Sequence, residues 1–175
     1  MKSQVPYLAL VGAVAAERLV ELWLSRRNAA WARARGGREH GRGHHSLVVA
    51  LHVGLLAGCV AEPLLTARAP EAGVLGAGAA VVAAAQGLRW WTIATLGRRW
   101  STRVIVVPGL PLVTSGPFRF LRHPNYAAVA VEIAALPIAG GAWVTAAVCT
   151  ACNGLLMAAR IPCEEAALGI RGRRA

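Results

Sequence analysis

Long runs of apolar residues, separated by arginine-rich stretches, dominate the pattern of the chain. Five apolar segments stand out: residues 5–24, 47–65, 72–96, 126–139 and 142–159. A helix that crosses the hydrocarbon core of a bilayer needs about 20 such residues. The pattern therefore predicts an all-α, polytopic integral membrane protein with about five transmembrane helices. The fourth segment is short for a full crossing and only Gly140 and Gly141 separate it from the fifth, which predicts a tight C-terminal helical hairpin.

The composition agrees with the bilayer as the main solvent. Of the 175 residues, 56% are hydrophobic and 15% are charged, whereas about a quarter of a soluble domain is charged. The eighteen Arg and one Lys outnumber eight Glu, and the net charge is +11. Because the arginines flank the apolar runs, they predict contact with anionic lipid head groups and no nucleic-acid partner. Five helices and their loops use up the chain, so residues 1–175 are predicted to form a single domain, with three spans in 1–96 and a loop, the hairpin and a tail in 97–175.

The distribution of arginine predicts the orientation. Residues 25–46, residues 97–125 and the tail together carry fifteen arginines, the tail contributing Arg160, Arg171, Arg173 and Arg174. The connection 62–71 carries only Arg68, and the Gly140–Gly141 turn carries none. Cytoplasmic loops collect positive charge. We therefore expect both long loops and the C-terminus in the cytoplasm and the N-terminus outside, with residues 34–45 as a flexible linker.

Ionisable residues also occur within the first apolar segment. Arg18 and Glu21 are three positions apart, on one face of a helix. Ionisable groups inside a membrane usually face the interior of a helix bundle or a cavity. The two residues are predicted to form a structural pair, with a position at the substrate entrance as the alternative.

A loop rich in Pro and Gly, residues 106–126, ends where the fourth helix is predicted to begin. Pro124 suits the first position of a helix because its missing amide proton is not needed there, which makes His123 the capping residue. A helix N-terminus beside Arg122 and His123 is suited to binding a carboxylate or phosphate. Alternatively, Arg119 and Arg122 only anchor the helix at the head groups.

A second charged cluster, Arg160, Glu164 and Glu165, directly follows the fifth segment. If the hairpin closes tightly, this cluster lies at the membrane depth of Arg122 and His123. The combined pocket would offer cations to a carboxylate and carboxylates to an ammonium group, as an amino-acid zwitterion requires. The alternative is a solvated helix terminus.

These elements together resemble a known family. The sequence GPFRFLRHPNY, an apolar hairpin and then Arg160 with Glu164 and Glu165 are similar to the isoprenylcysteine carboxyl methyltransferase family over residues 96–168. More narrowly, RWSTRVIVVPGLPLVTSGPFRFLRHPNY and the upstream RLVELWLSRRN and GGREHG resemble bacterial members that O-methylate alkylresorcinols and alkylpyrones made by type III polyketide synthases. The resemblance implies a methyltransferase of the bacterial plasma membrane that uses S-adenosylmethionine and takes a lipid-like acceptor from the bilayer at the cytoplasmic face. It also implies a functional link to a type III polyketide synthase.

The resemblance assigns roles to individual residues. Those implied to bind the cofactor are Val113, Gly116, Arg122, His123, Tyr126, Glu164 and Glu165. Arg160 matches the essential arginine of the family and is implied to be catalytic. Many members continue after the paired Glu with an FGxxYxxY motif, which residues 166–175 do not contain. This departure leaves open what covers the adenosine and whether carboxyl methylation is the chemistry.

The acceptor decides whether a base is needed. A carboxylate is already ionised, but a phenol has a pKa near 10 and benefits from a general base. The candidates are Glu39, His45 and His52, which are predicted near the cytoplasmic end of the second segment, although such histidines are often hydrogen-bonded interface residues. No metal is expected, because the nearby histidines lack an HExxH arrangement and lie in a Gly-rich stretch.

Three other functions compete with O-methylation of a phenolic lipid. One is carboxyl methylation of prenylcysteine. Another is reduction with NADPH, because sterol reductases have a similar RHPNY-like hairpin region. The third is a membrane module without enzymatic activity. Adding S-adenosylmethionine and NADPH separately in a thermal-shift assay distinguishes the methyltransferases, the reductase and the module.

Overall fold

The computed structural model describes residues 4–67 and 70–170, without the side chain of Arg42. Within these residues the chain forms the helices α1 (Val5–Arg33), α2 (Arg42–Leu65), α3 (Ala72–Leu96), α4 (Pro124–Ala139) and α5 (Trp143–Ala167). Two short strands, β1 (Arg38–His40) and β2 (Val104–Val106), lie in the two long loops. Short 3-10 turns occupy Gly97–Arg99 and Gly116–Arg119. The predicted loop charges at Arg68, Arg171, Arg173 and Arg174 lie outside the described residues.

The helices match the mostly helical membrane architecture that the apolar pattern predicts. Within the described residues, three are long and apolar enough to cross a bilayer: Gly43–Leu65, Ala72–Arg99 and Trp143–Ala167. Helix α4 is apolar but has only 16 residues. Helix α1 is long, with 29 residues, but it carries Glu17, Arg18 and Glu21 in its apolar half. The number of full crossings and the orientation remain predictions.

Two helices extend further than the apolar runs indicate. Helix α1 continues to Arg33 and does not end at residue 24. Helix α5 continues through Pro162 to Ala167, so Glu164 and Glu165 lie on its last turns. The prediction that these glutamates follow the helix was wrong, because arginine and glutamate end an apolar run but are good helix formers.

The predicted flexible linker is ordered. Strand β1 pairs antiparallel with β2, with Glu39 opposite Ile105. Gly36 and Gly41, which flank the strand, have φ of 76° and 62°, a backbone conformation that glycine adopts without strain. The glycines therefore shape two turns around a strand. The purely α-helical prediction is corrected by this small two-stranded sheet.

The turn of the helical hairpin packs closely against α1. Tyr7 of α1 is fully buried, and its ring lies against the backbone of Gly140, where an added Cβ would overlap the ring. Gly141 has φ of 73° and completes the turn. The two glycines thus allow α4 and α5 to reverse direction directly beside α1.

A cluster of four charged side chains holds α1, α3 and α4 together. Arg89 donates to Glu21 at 3.3 Å and to Glu132 at 2.8 Å. Arg18 lies 2.7 Å from Glu21 and 3.6 Å from Glu132, which confirms the predicted pairing within α1. Arg18 also donates to Gln86 at 3.0 Å. With two cations and two anions, the cluster is neutral, as buried charges require.

Candidate functional site

The extension of α1 positions the loop between α3 and α4. Asn28 donates to the carbonyl oxygens of Gly97 at 3.2 Å and Trp100 at 2.8 Å. The hydroxyl of Ser25 lies 2.8 Å from that of Thr102 and accepts from its backbone amide at 3.0 Å. These contacts satisfy polar groups of the loop and fix its first half against a rigid helix.

The N-terminus of α4 meets the C-terminal end of α5. Helix α4 begins at Pro124 after His123, as predicted, although the His123 side chain makes no capping hydrogen bond. Instead, Nε2 of His123 lies 3.2 Å from Oε1 of Glu165, and Nη1 of Arg122 donates to the same oxygen at 3.3 Å. The structure therefore brings together the two charged clusters that the hairpin prediction combines.

Arg160 connects this junction to the loop. Its Nε donates to the hydroxyl of Tyr126 at 2.9 Å, and the Tyr126 hydroxyl donates to Glu164. Nη2 of Arg160 donates to the backbone carbonyl of Thr102. Arg160 is buried, and its hydrogen bonds to Tyr126 and Thr102 hold both ends of its guanidinium group.

Two cavities adjoin at these residues. The first, which we call the loop cavity, has a volume of about 340 Å³. Its wall includes the predicted cofactor-binding residues Val113, Arg122, His123, Tyr126 and Glu164. Gly116 and Glu165 do not line it. Gly116 packs against Thr95, and Glu165 supports His123 and Arg122.

The second cavity, which we call the bundle cavity, has a volume of about 260 Å³ and lies among the helices. Most of its wall is apolar, including Leu19, Leu22, Val53 and Leu56. Four residues line both cavities: Trp100, Asn125, Tyr126 and Arg160. The two cavities therefore share part of one wall.

The three candidate bases lie in different surroundings. Glu39 on β1 accepts from Arg103 at 2.7 Å and from Arg33 at 3.1 Å. Burial alone would raise the pKa of Glu39, but the two arginines hold it below its usual value. Nδ1 of His45 lies 3.5 Å from the hydroxyl of Thr102. Of the three, only His52 lines one of the two cavities.

Three polar residues of the cavity walls were not among the predicted site residues. Trp100 and Asn153 are 3% and 4% exposed, respectively. Within the described residues, Nε1 of Trp100 and Oδ1 of both Asn125 and Asn153 have no hydrogen-bond partner. Asn153 carried a usable signal, because a polar residue within an apolar helix usually faces a cavity or a partner. Trp100 is explained from the sequence as part of an interfacial belt with Trp90 and Trp91, with a portal for a lipid or aromatic substrate as the alternative.

Comparison with known proteins places this site in a family. The sequence profile of the isoprenylcysteine carboxyl methyltransferase family matches residues 78–170, which is more than half of the chain. The chain belongs to this family. The family match includes most of α3, the loop, α4 and α5, which supply most of the wall of the loop cavity. It does not include α1 and α2, which supply much of the bundle cavity.

A second comparison covers nearly the whole chain. The uncharacterized protein YpbQ of Bacillus subtilis (strain 168) is 34% identical over 159 residues, or 91% of this chain and 94% of that protein. Members of the isoprenylcysteine carboxyl methyltransferase family are methyltransferases, so the family and the apolar helices together indicate a membrane methyltransferase.

Proposed function

We propose that this protein is an S-adenosylmethionine-dependent O-methyltransferase whose acceptor is an amphiphilic hydroxyaromatic lipid, namely an alkylresorcinol or alkylpyrone. The observation that carries the proposal is the pair of adjoining cavities, one charged and one largely apolar, with Tyr126 and Arg160 in both walls. A methyl transfer needs two ligands in contact and otherwise little covalent machinery.

The residues of the loop cavity fit the cofactor. Its wall carries Glu164 for an ammonium group and Arg122 with His123 for a carboxylate, beside apolar side chains of β2 suited to an adenine ring. Leu168 and Ile170, which directly follow α5, also line it and would cover part of the adenosine. When bound there, S-adenosylmethionine supplies a methyl group activated by a sulfonium.

The bundle cavity fits the acceptor. Its apolar wall suits an alkyl chain, and its unpartnered polar atoms suit a small polar head group. An unsatisfied buried polar atom costs about 1–3 kcal/mol, so a ligand that bonds Asn125, Asn153 and Trp100 is favoured. A hydroxyl both donates and accepts, whereas a carboxylate only accepts. The free amide oxygens of the two asparagines therefore favour a hydroxyl acceptor over a carboxylate.

The chain's own side chains would orient the two ligands and exclude water. Arg160 is fixed at one end by Tyr126 and at the other by the carbonyl of Thr102, so it forms a rigid partition between the cavities. Preorganised cations beside the acceptor oxygen stabilise the negative charge that develops when the hydroxyl becomes a nucleophile. The lipid acceptor would enter from the bilayer at the cytoplasmic face of a bacterial plasma membrane.

The test is a methylation assay with purified protein in detergent. Labelled S-adenosylmethionine is mixed separately with alkylresorcinol, alkylpyrone and prenylated cysteine, and we expect label in the phenolic lipids. The variant His123→Ala should abolish both labelling and calorimetric binding of S-adenosylmethionine. His40→Ala, on strand β1 and outside both cavity walls, is the matched control.

Each competing function predicts a different result. Labelling of prenylated cysteine alone would overturn the acceptor class. Thermal stabilisation by NADPH and not by S-adenosylmethionine would indicate a reductase, and stabilisation by neither would indicate a module without enzymatic activity. The proposal also predicts that the gene lies beside one for a type III polyketide synthase.

A further inference from the structure

The imidazole of His52 is held in one tautomer. Its Nδ1 lies 2.8 Å from the carbonyl oxygen of Val48, one turn earlier in α2. A carbonyl oxygen only accepts, so Nδ1 must carry the proton of a neutral ring and Nε2 must carry the lone pair. Within the described part of the chain, Nε2 has no hydrogen-bond partner. The contact with Val48 thus fixes the ring and leaves the lone pair of Nε2 unused.

His52 lies in the wall of the bundle cavity. Charged side chains on four other helices surround this region: Arg18 and Glu21 of α1, Arg89 of α3, Glu132 of α4 and Arg160 of α5. The carboxylates can stabilise an imidazolium, and the arginines can stabilise an oxyanion. The cavity thus has groups for both charges that a proton transfer would create.

We propose that His52 is the general base that removes the proton from the acceptor hydroxyl during methyl transfer, which rests on the proposed function. The acceptor oxygen forms a bond to the methyl carbon as the carbon–sulfur bond breaks, and the electron pair of that bond stays on sulfur. The hydroxyl proton passes to Nε2 of His52. The products are a methyl ether, a neutral thioether and one proton, which the imidazolium then releases.

The other two candidates are poorly placed for this role. The carboxylate of Glu39 already accepts from two arginines on the small sheet. His45 lies beside Thr102 and lines neither cavity. A phenol with a pKa near 10 is almost entirely protonated at neutral pH, so a base in contact with it matters. A carboxylate acceptor is already ionised and would have no proton for His52 to remove.

The decisive experiment compares two acceptors. One is an alkylresorcinol, and the other is a nitrated alkylphenol that is fully ionised at the assay pH. We expect His52→Asn to lower kcat/KM for the alkylresorcinol by about 100-fold or more, the usual contribution of a general base, and to leave kcat/KM for the ionised acceptor nearly unchanged. An asparagine amide retains a donor for the carbonyl of Val48. The matched control is His44→Asn, on the same helix and outside both cavity walls, which should leave both reactions unchanged.

Two further measurements do not require the His52→Asn variant to be active. The first is the absorbance of an alkylated nitrophenol bound without S-adenosylmethionine, at a pH equal to its pKa in solution. The fraction present as phenolate should be larger with wild type than with His52→Asn. In wild type, D2O should slow methylation of the alkylresorcinol but not that of the ionised acceptor.

The possible failures are distinguishable. If wild type methylates alkylresorcinol and His52→Asn slows both acceptors equally, or neither, His52 is not the base although the proposed function stands. An absent isotope effect together with equal phenolate fractions leads to the same conclusion. If wild type methylates no hydroxyl acceptor at all, both proposals fail.

Discussion

Removing one arginine from the buried charge cluster should be strongly destabilising. The side chains of Arg89, Glu21 and Glu132 are at most 4% exposed. Arg89→Met leaves Arg18 alone with two buried carboxylates, and loss of one partner from a buried ion pair costs about 3–5 kcal/mol. For a protein of this size, 1 kcal/mol lowers Tm by about 2–4 °C. We therefore expect Tm to fall by about 6–20 °C in thermal unfolding monitored by circular dichroism in detergent.

The double variant Arg89→Met/Glu132→Gln tests the reasoning behind this number. It leaves one cation and one anion, because Arg18 retains its contact with Glu21 at 2.7 Å. The cluster is again neutral, so the double variant should lose less stability than the two single variants added together, with a coupling of about 0.5–3 kcal/mol. Arg33→Met, which removes a half-exposed partner of Glu39, is the control and should cost less than about 1 kcal/mol. Additive losses, or an Arg89 variant as stable as the control, would refute the explanation by charge balance.

Three further predictions address the site, the sheet and the hairpin. Glu165→Ala should abolish calorimetric binding of S-adenosylmethionine; undiminished affinity would show that Glu165 does not support cofactor binding in the loop cavity. Because its two arginines lower the pKa of Glu39, the ionised carboxylate stabilises the fold, and Glu39→Gln removes this contribution. The loss of stability should be complete above about pH 4.3, the pKa of Glu in the unfolded chain. It should vanish as the pH falls through the lower folded value, and a loss that persists in strong acid would contradict this assignment. Gly140→Ala should cost about 1–3 kcal/mol through overlap with the ring of Tyr7, whereas Gly141→Ala, with open space at its Cβ, should cost only about 1 kcal/mol of backbone strain. Equal losses in chemical denaturation would argue against the close contact.

Local signals in the sequence were sufficient for much of the fold. The third and fourth apolar segments end where α3 and α4 end, because leucine-rich and alanine-rich runs favour helix and the following glycines stop it. Pro124 marked the start of α4 for an equally local reason. The ends of α1 and α5 were missed because polarity was taken as the end of a helix, when it marks only the end of an apolar surface.

Other features of the structure depend on contacts between residues that are distant in the sequence. The pairing of β1 with β2 joins segments more than sixty residues apart, and three residues such as Arg38–His40 have no periodicity to read. The meeting of His123 with Glu165 was predicted because the hairpin brings its two ends together. The sequence could not indicate which of the three candidate bases lines a cavity, because this depends on where the cavity lies and on which nitrogen of His52 faces Val48.

The short length of α4 has a consequence for access to the site. Its 16 residues rise about 24 Å, less than the approximately 30 Å thickness of the hydrocarbon layer. If the Gly140–Gly141 turn lies near the far surface, the other end of α4, with His123 and Tyr126, is drawn below the plane of the phosphates. An apolar acceptor would then reach His123 and Tyr126 without leaving the lipid leaflet, and the water-soluble cofactor would be the ligand that enters the membrane.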